Sequence, residues 1–200
     1  GSDYHLGLDP YLELTGMAYR ITPERSKDCK PRVNTEVMYD NMMNKFVWGN
    51  IADPNVYLDE QHIRMARTMR MMFGQLADAL IAEKQIEKAK EVLDKCLEVL
   101  PIETVPADYS LAVMAQYYYE LGLTEKADAL IKPLLNECVA KIEWVNSLKP
   151  AHKKAISQEM SIRQNVGLIQ NLWMTTKNYD SDLTDILEEN LQKYYSLINN

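Results

Sequence analysis

Apolar residues recur at the helical period from Asp59 onward. Ile63, Ala66, Met69, Phe73, Leu76, Ala77 and Leu80 form one stripe, preceded by the acidic pair Asp59-Glu60, which suits the positive end of a helix dipole. The pattern predicts a long amphipathic helix. A polar break at Glu83-Lys84-Gln85 precedes a second stripe, Ile86, Ala89, Leu93, Cys96, Leu97 and Leu100, which Pro101 ends. Two antiparallel helices joined by a tight turn are expected.

The layout returns downstream as Leu111, Met114, Ala115 and Tyr118, a turn at Gly122, then Ala127, Ile131, Leu134 and Leu135. A shift of 38 places Leu111 on Phe73, Met114 on Leu76, Ala115 on Ala77, Tyr118 on Leu80, Ala127 on Ala89, Ile131 on Leu93 and Leu134 on Cys96. Large and small positions coincide. The alternation of small residues at close crossings with larger ones around them resembles the tetratricopeptide repeat, a helix-turn-helix unit of about 34 residues. Phe73, Leu76, Ala77, Leu80, Ala89, Leu93, Cys96 and Pro101 carry that resemblance. The second copy has Val139 in place of the closing proline, and Pro133 inside its second helix predicts a kink or local break. A third pair, from Pro150 to Thr176 and from Ser181 to Ile198, agrees poorly apart from the small Gly167 and reads as a divergent cap.

Ahead of Asp59, Tyr11 to Ile21 is expected to be helical, with Leu12, Gly16 and Tyr19 imitating the small-and-large pattern. A charged loop, residues 22–34, then leads to a helix from Thr35 to Trp48. The division is a cleavage scar at 1–2, an N-terminal helical segment at 3–58, two repeats at 59–148 and a cap at 149–200. The fold class is an all-α superhelix of about three helical hairpins with essentially no strand. A sheet of three or more strands would count against it.

The stretch VMYDNMMNKFVWGNIADPNVYLDE, from Val37 to Glu60, crowds methionines and aromatics around a Gly-Asn and an Asp-Pro. Met38, Met42 and either Lys45 or Phe46 share one helical face, and Tyr39, Met43 and Phe46 a neighbouring one, a spacing that suits a core. A haem or soft-metal site would need histidine or cysteine at ligand spacing, and His62 and Cys29 are not so placed. DPNVYLDE lacks the glycine and terminal glutamate of a calcium loop and reads as a turn entering a helix. The stretch is therefore expected to pack the leading segment against the repeats.

The net charge of −7 and pI near 5.1 oppose nucleic acid or an anionic surface on average. Cys29, Cys96 and Cys138 form neither a disulfide framework nor a zinc motif. The scattered His5, His62 and His152, with no hydrolase, phosphate-loop or metalloprotease motif, identify no catalytic residue, cofactor or metal site. Glu188-Glu189 reads as a solvated helical pair. Arg64, Arg67 and Arg70 recur every three residues and suit either a grip on a carboxylate or phosphate, or salt bridges within an acidic protein.

The phrases LGLDPYLELTGMAYRITP, VNTEVMYDNMMNKFVWGN, DPNVYLDE and RMMFGQLADALIAE resemble the soluble C-terminal region of a family of large bacterial multi-pass membrane proteins. The membrane part of that family is similar to protein O-mannosyltransferases. The resemblance spans residues 7–148. It implies a soluble tail of an inner-membrane glycosyltransferase, on the periplasmic side by analogy or else the cytoplasmic side, with any catalytic residues outside this chain. The function it leads to is a non-catalytic interaction module for a peptide, a partner protein or its own membrane region. The alternatives are a glycan-acting enzyme domain and a purely structural tail. In such stacks the first helix of each pair lines a concave groove, here Met71, Gly74, Asp78 and Ile81, then Tyr109, Ala112, Gln116 and Tyr119, with Arg64 or Arg67 at the edge for an acidic ligand. Tyr109 and Tyr119 are expected to be at least partly exposed.

Overall fold

A computed structural model describes residues 5–156 and 160–198. The chain divides into two compact units, Gly1–Pro106 and Ala107–Asn200.

In the first unit a short 3-10 turn, Asp9–Tyr11, leads to β1 (Leu12–Leu14), β2 (Tyr19–Ile21) and β3 (Arg32–Val33). β1 lies in the middle, antiparallel to β2 and parallel to β3. The helix expected over Tyr11–Ile21 is absent. Gly16 adopts φ 155°, a conformation that residues with a side chain rarely take, and turns the chain so that Tyr19-Arg20-Ile21 pairs back on Leu12-Glu13-Leu14. The expected loop 22–34 also yields β3 at its end. The sheet has the three strands set against an all-helical reading, but it is confined to the leading segment. Helices build everything after it. Glu13, 8% exposed, accepts from Arg32 at 2.8 Å and Asn34 at 3.1 Å, which fastens β1 to β3.

α1 (Thr35–Asp40), capped by the Asn34 side chain, passes into one π-helical turn, Asn41–Lys45, and ends there rather than at Trp48. The Phe46 N–H reaches back to Asn41 O at 2.8 Å, and Asn41 Nδ2 donates to Thr15 O at 2.7 Å. The widened turn leaves Met38 and Met42 fully buried, as their spacing predicts, while Lys45 instead pairs with Asp40 at 2.5 Å.

α2 (Glu60–Ala82) is capped by Asp59, which accepts from the His62 N–H at 2.8 Å, so DPNVYLDE is the turn and helix entry expected of it. α3 (Ile86–Val99) completes the first hairpin. The second unit contains α4 (Tyr109–Glu120), α5 (Thr124–Ser147), a short α6 (Pro150–Lys153), α7 (Ile162–Asn178) and α8 (Thr184–Tyr195). All seven matched pairs between the α2/α3 and α4/α5 hairpins are at most 1% exposed. α5 runs through Pro133 as one helix, so the local break allowed for there is absent. Ile131 and Leu134 are buried on either side of the proline, and the Ala129 carbonyl that loses its helical donor lies on an exposed residue. Without a proline at Val139, α5 continues to Ser147.

The third hairpin, α7/α8, starts at Ile162 rather than Pro150, and residues 157–159 of the expected span lie outside the described residues. Its first helix keeps the register, with Ile169, Leu172 and Thr176 buried. Gly167 does not mark a close crossing. It is exposed, and a Cβ there would meet nothing within 4 Å. Trp173 and Leu187 stand where the other hairpins place alanines.

Candidate functional site

The Val37–Glu60 stretch builds an aromatic ladder in the first unit. The Phe46 ring lies on Gly16, where an added Cβ would come within 2.7 Å of the ring carbon Cζ, so only glycine admits it. Phe46 meets Trp48 edge-on at 6.0 Å between centroids, and Trp48 leans on Phe73, a core residue of the first hairpin, at 5.1 Å. Beside the ladder is a hollow of about 280 Å³ lined by Met17, Lys45, Phe46, Val47, Trp48, Ile51 and Met69. Val47 is 93% exposed. Rigid aromatic walls with two adaptable methionines suit an apolar side chain brought by another molecule.

Two hydrogen bonds hold this wall to the hairpin. Thr35 Oγ1 donates to Glu83 at 2.9 Å, and the Tyr39 hydroxyl donates to Glu91 with Lys88 over its ring. The Glu91 carboxylate and partial burial push the Tyr39 phenol up to about 12, so it keeps its proton. A second hollow of about 310 Å³, between Val56-Tyr57-Leu58 and Glu103-Thr104, is more polar.

The groove residues separate into several classes. On α2, Arg64 and Asp78 are exposed, Arg67, Met71 and Ile81 half-buried and Gly74 buried. On α4, Tyr109 is 55% exposed and Gln116 is exposed, but Ala112 and Tyr119 are buried at 7% and 3%. The expectation for Tyr119 fails because its ring stacks flat on Tyr179 at 4.9 Å and its hydroxyl donates to Asp128 at 2.5 Å, which Ser181 also contacts at 2.7 Å. Burial, then the Asp128 hydrogen bond, pushes this phenol far above its ordinary value. Tyr119 therefore joins the second hairpin to the third, and the α4 positions do not form a continuous accessible strip.

The arginine row serves another end at Arg70. Its guanidinium is fully buried and donates to the carbonyls of Leu100, Pro101, Val105 and Pro106 at 2.6 to 3.3 Å. It grips the carbonyls at the end of α3 and in the loop that follows it. Burial pushes the Cys96 and Cys138 thiols up to about 12, while Cys29 is exposed. Among the described residues no group of three or more His, Cys, Asp or Glu could hold a metal ion, and no helix is long and apolar enough to cross a membrane.

No protein-family model, curated protein or solved structure matches the chain. The hollow contains residues that the groove register missed, Met17, Trp48 and Met69. For Trp48 the signal was the density of methionine and aromatics in Val37–Glu60, which reads equally well as core until the chain path is known; Met17 and Met69 lie outside that stretch, and only the fold brings them to it.

Proposed function

We propose that the chain is a non-catalytic interaction module of the tetratricopeptide type, the soluble tail of a multi-pass membrane glycosyltransferase. Its ligand is a peptide, a partner protein or the membrane region of its own polypeptide. The observation that carries the interaction reading is the apolar hollow beside the Phe46–Trp48–Phe73 ladder. It opens apolar walls to water next to a hairpin whose own core is already filled. The membrane context rests on the four phrases quoted above.

A glycan-hydrolysing site would bring two carboxylates within roughly 5 to 10 Å in one pocket. Of the two hollows described, the polar one is lined by a single carboxylate, Glu103, and the apolar one by none. The test is to pan a random peptide library on the chain and counter-screen on Val47→Glu, which places a charge at the hollow's rim. Peptides with an apolar anchor that lose binding to the variant support the reading. Equal binding to both proteins, or no enrichment, overturns it. Cys29 is the exposed one of this chain's three thiols, so its loss in Cys29→Ser separates its labelling by an impermeant maleimide in cells from that of any other cysteine and reports the membrane side.

A further inference from the structure

The outer edge of β2 presents backbone groups that pair with nothing among the described residues. The Thr22 N–H donates to Tyr11 O at 2.8 Å and the Thr15 N–H to Ala18 O at 3.4 Å, on either side of the facing pair Glu13 and Arg20. Hydrogen-bonded pairs alternate in an antiparallel ladder, so Arg20 bonds to β1 while the N–H and C=O groups of Tyr19 and Ile21 point outward. Both side chains are open, Tyr19 at 43% and Ile21 at 64% exposure.

The charge around this edge runs against that of the whole protein. Arg20 to Arg32 holds five basic and two acidic side chains in a chain of net charge −7. Arg32 is used by Glu13 and Glu24, whereas Arg20, Arg25, Lys27 and Lys30 are exposed and take part in no ion pair among the described residues. Cations on an edge commonly guard against self-pairing. Here a second copy would bring two basic loops together, so the field that repels it attracts a strand of opposite charge.

We propose that the β2 edge accepts an extended acidic peptide by strand addition. The Tyr19 and Ile21 backbone supplies the hydrogen bonds, their side chains the apolar contact, and Arg20, Arg25, Lys27 and Lys30 the attraction. This surface is separate from the Met17–Trp48 hollow, and neither proposal depends on the other.

The test is fluorescence polarisation of the full chain with a short fluorescein-labelled peptide alternating glutamate and valine. Ile21→Pro removes one outward N–H and no bond to β1, so it retains the fold by circular dichroism. It weakens binding about tenfold, the worth of a lost backbone hydrogen bond. N-methylation of alternate peptide amides has the same effect on the unaltered chain, which keeps the test decisive if the proline variant misfolds. A lysine-valine peptide does not bind. Equal binding of the N-methylated peptide would reduce the edge to a non-specific charged surface and overturn the proposal. Binding to phosphatidylglycerol vesicles without binding to the peptide would also overturn it and make the patch a lipid-facing one.

Discussion

Lys84 and Gly122 are the same residue of successive hairpins. Each is left-handed, at φ 62° and 72°. Each donates its N–H to the carbonyl three residues back at 2.9 Å, Ile81 and Tyr119 respectively, and the following N–H closes the turn at 2.8 Å on Leu80 and Tyr118. The 38-residue offset seen in the cores thus extends to the backbone hydrogen bonds of the turns. Asp180, at φ 50°, repeats the device in the third hairpin, where the Ser181 N–H reaches Thr176 O at 3.2 Å.

A non-glycine residue in this conformation costs about 1–2 kcal/mol, against which glycine gives back part in chain entropy. Lys84→Gly should therefore stabilise the first hairpin by about 0.5–1 kcal/mol. Gly122→Ala should destabilise the second by about 1 kcal/mol, through the backbone alone because its Cβ would meet nothing within 4 Å. Urea unfolding curves showing opposite signs for the two variants are the expected outcome.

Ala77 and Ala115 are fully buried at matching positions of the two hairpins. Ala77→Leu and Ala115→Leu should each cost about 1–3 kcal/mol by overpacking. Thermal melts unchanged in both variants would show that the register is wrong.

The hairpins were legible because each carries its periodicity, turn and stop within a few dozen residues. The third was obscured by its turn. From Gly122 to Asp180 the offset is 58, but the Leu187 N–H bonds to Leu183 O as the Ala127 N–H bonds to Leu123 O, an offset of 60. Two extra residues in the loop defeat a fixed-shift comparison. The leading segment misled for a different reason. Leu12, Gly16 and Tyr19 fit a helical period, yet Gly16 is there for its positive φ and for the Phe46 ring, a contact thirty residues away that no local pattern announces. Tyr119 was misplaced likewise, since its partners Asp128 and Tyr179 lie on later elements.

Arg70→Met should lose about 3 kcal/mol or more, because a methionine fills the volume but leaves several buried carbonyls without donors. Arg70→Lys should rescue little, since one ammonium cannot reach acceptors spread along residues 100–106. Chemical denaturation of both variants checks this.

At Glu13, burial raises the carboxyl pKa, but the Arg32 and Asn34 hydrogen bonds and the nearby Arg32 and Arg20 charges outweigh it, so the folded value lies below the ordinary one. The folded state therefore holds the ionised form more tightly than the unfolded chain does. The resulting stability is present above the ordinary glutamate value of about 4.3 and is lost as pH falls through the depressed folded value. Glu13→Gln should lower the melting temperature at neutral pH and narrow its gap from the unaltered protein toward pH 3 or so. A constant gap across that range would show that the Glu13–Arg32 pair is not the titrating element.

The hollow and the helical groove make opposite predictions for the same binding assay. Val47 is almost wholly exposed, so Val47→Glu should leave the melt within about 0.5 kcal/mol of the unaltered chain while abolishing capture of peptides with an apolar anchor. Met69→Ala should weaken capture, because it widens the hollow and removes a soft wall. Tyr109→Ala and Gln116→Ala alter only exposed groove positions on α4 and should leave that binding unchanged. If Tyr109→Ala destroys binding while Val47→Glu spares it, the ligand is held on the helical face despite the buried Tyr119. The Phe46–Trp48 ladder is then only what its spacing first suggested, a brace between the leading segment and the first hairpin.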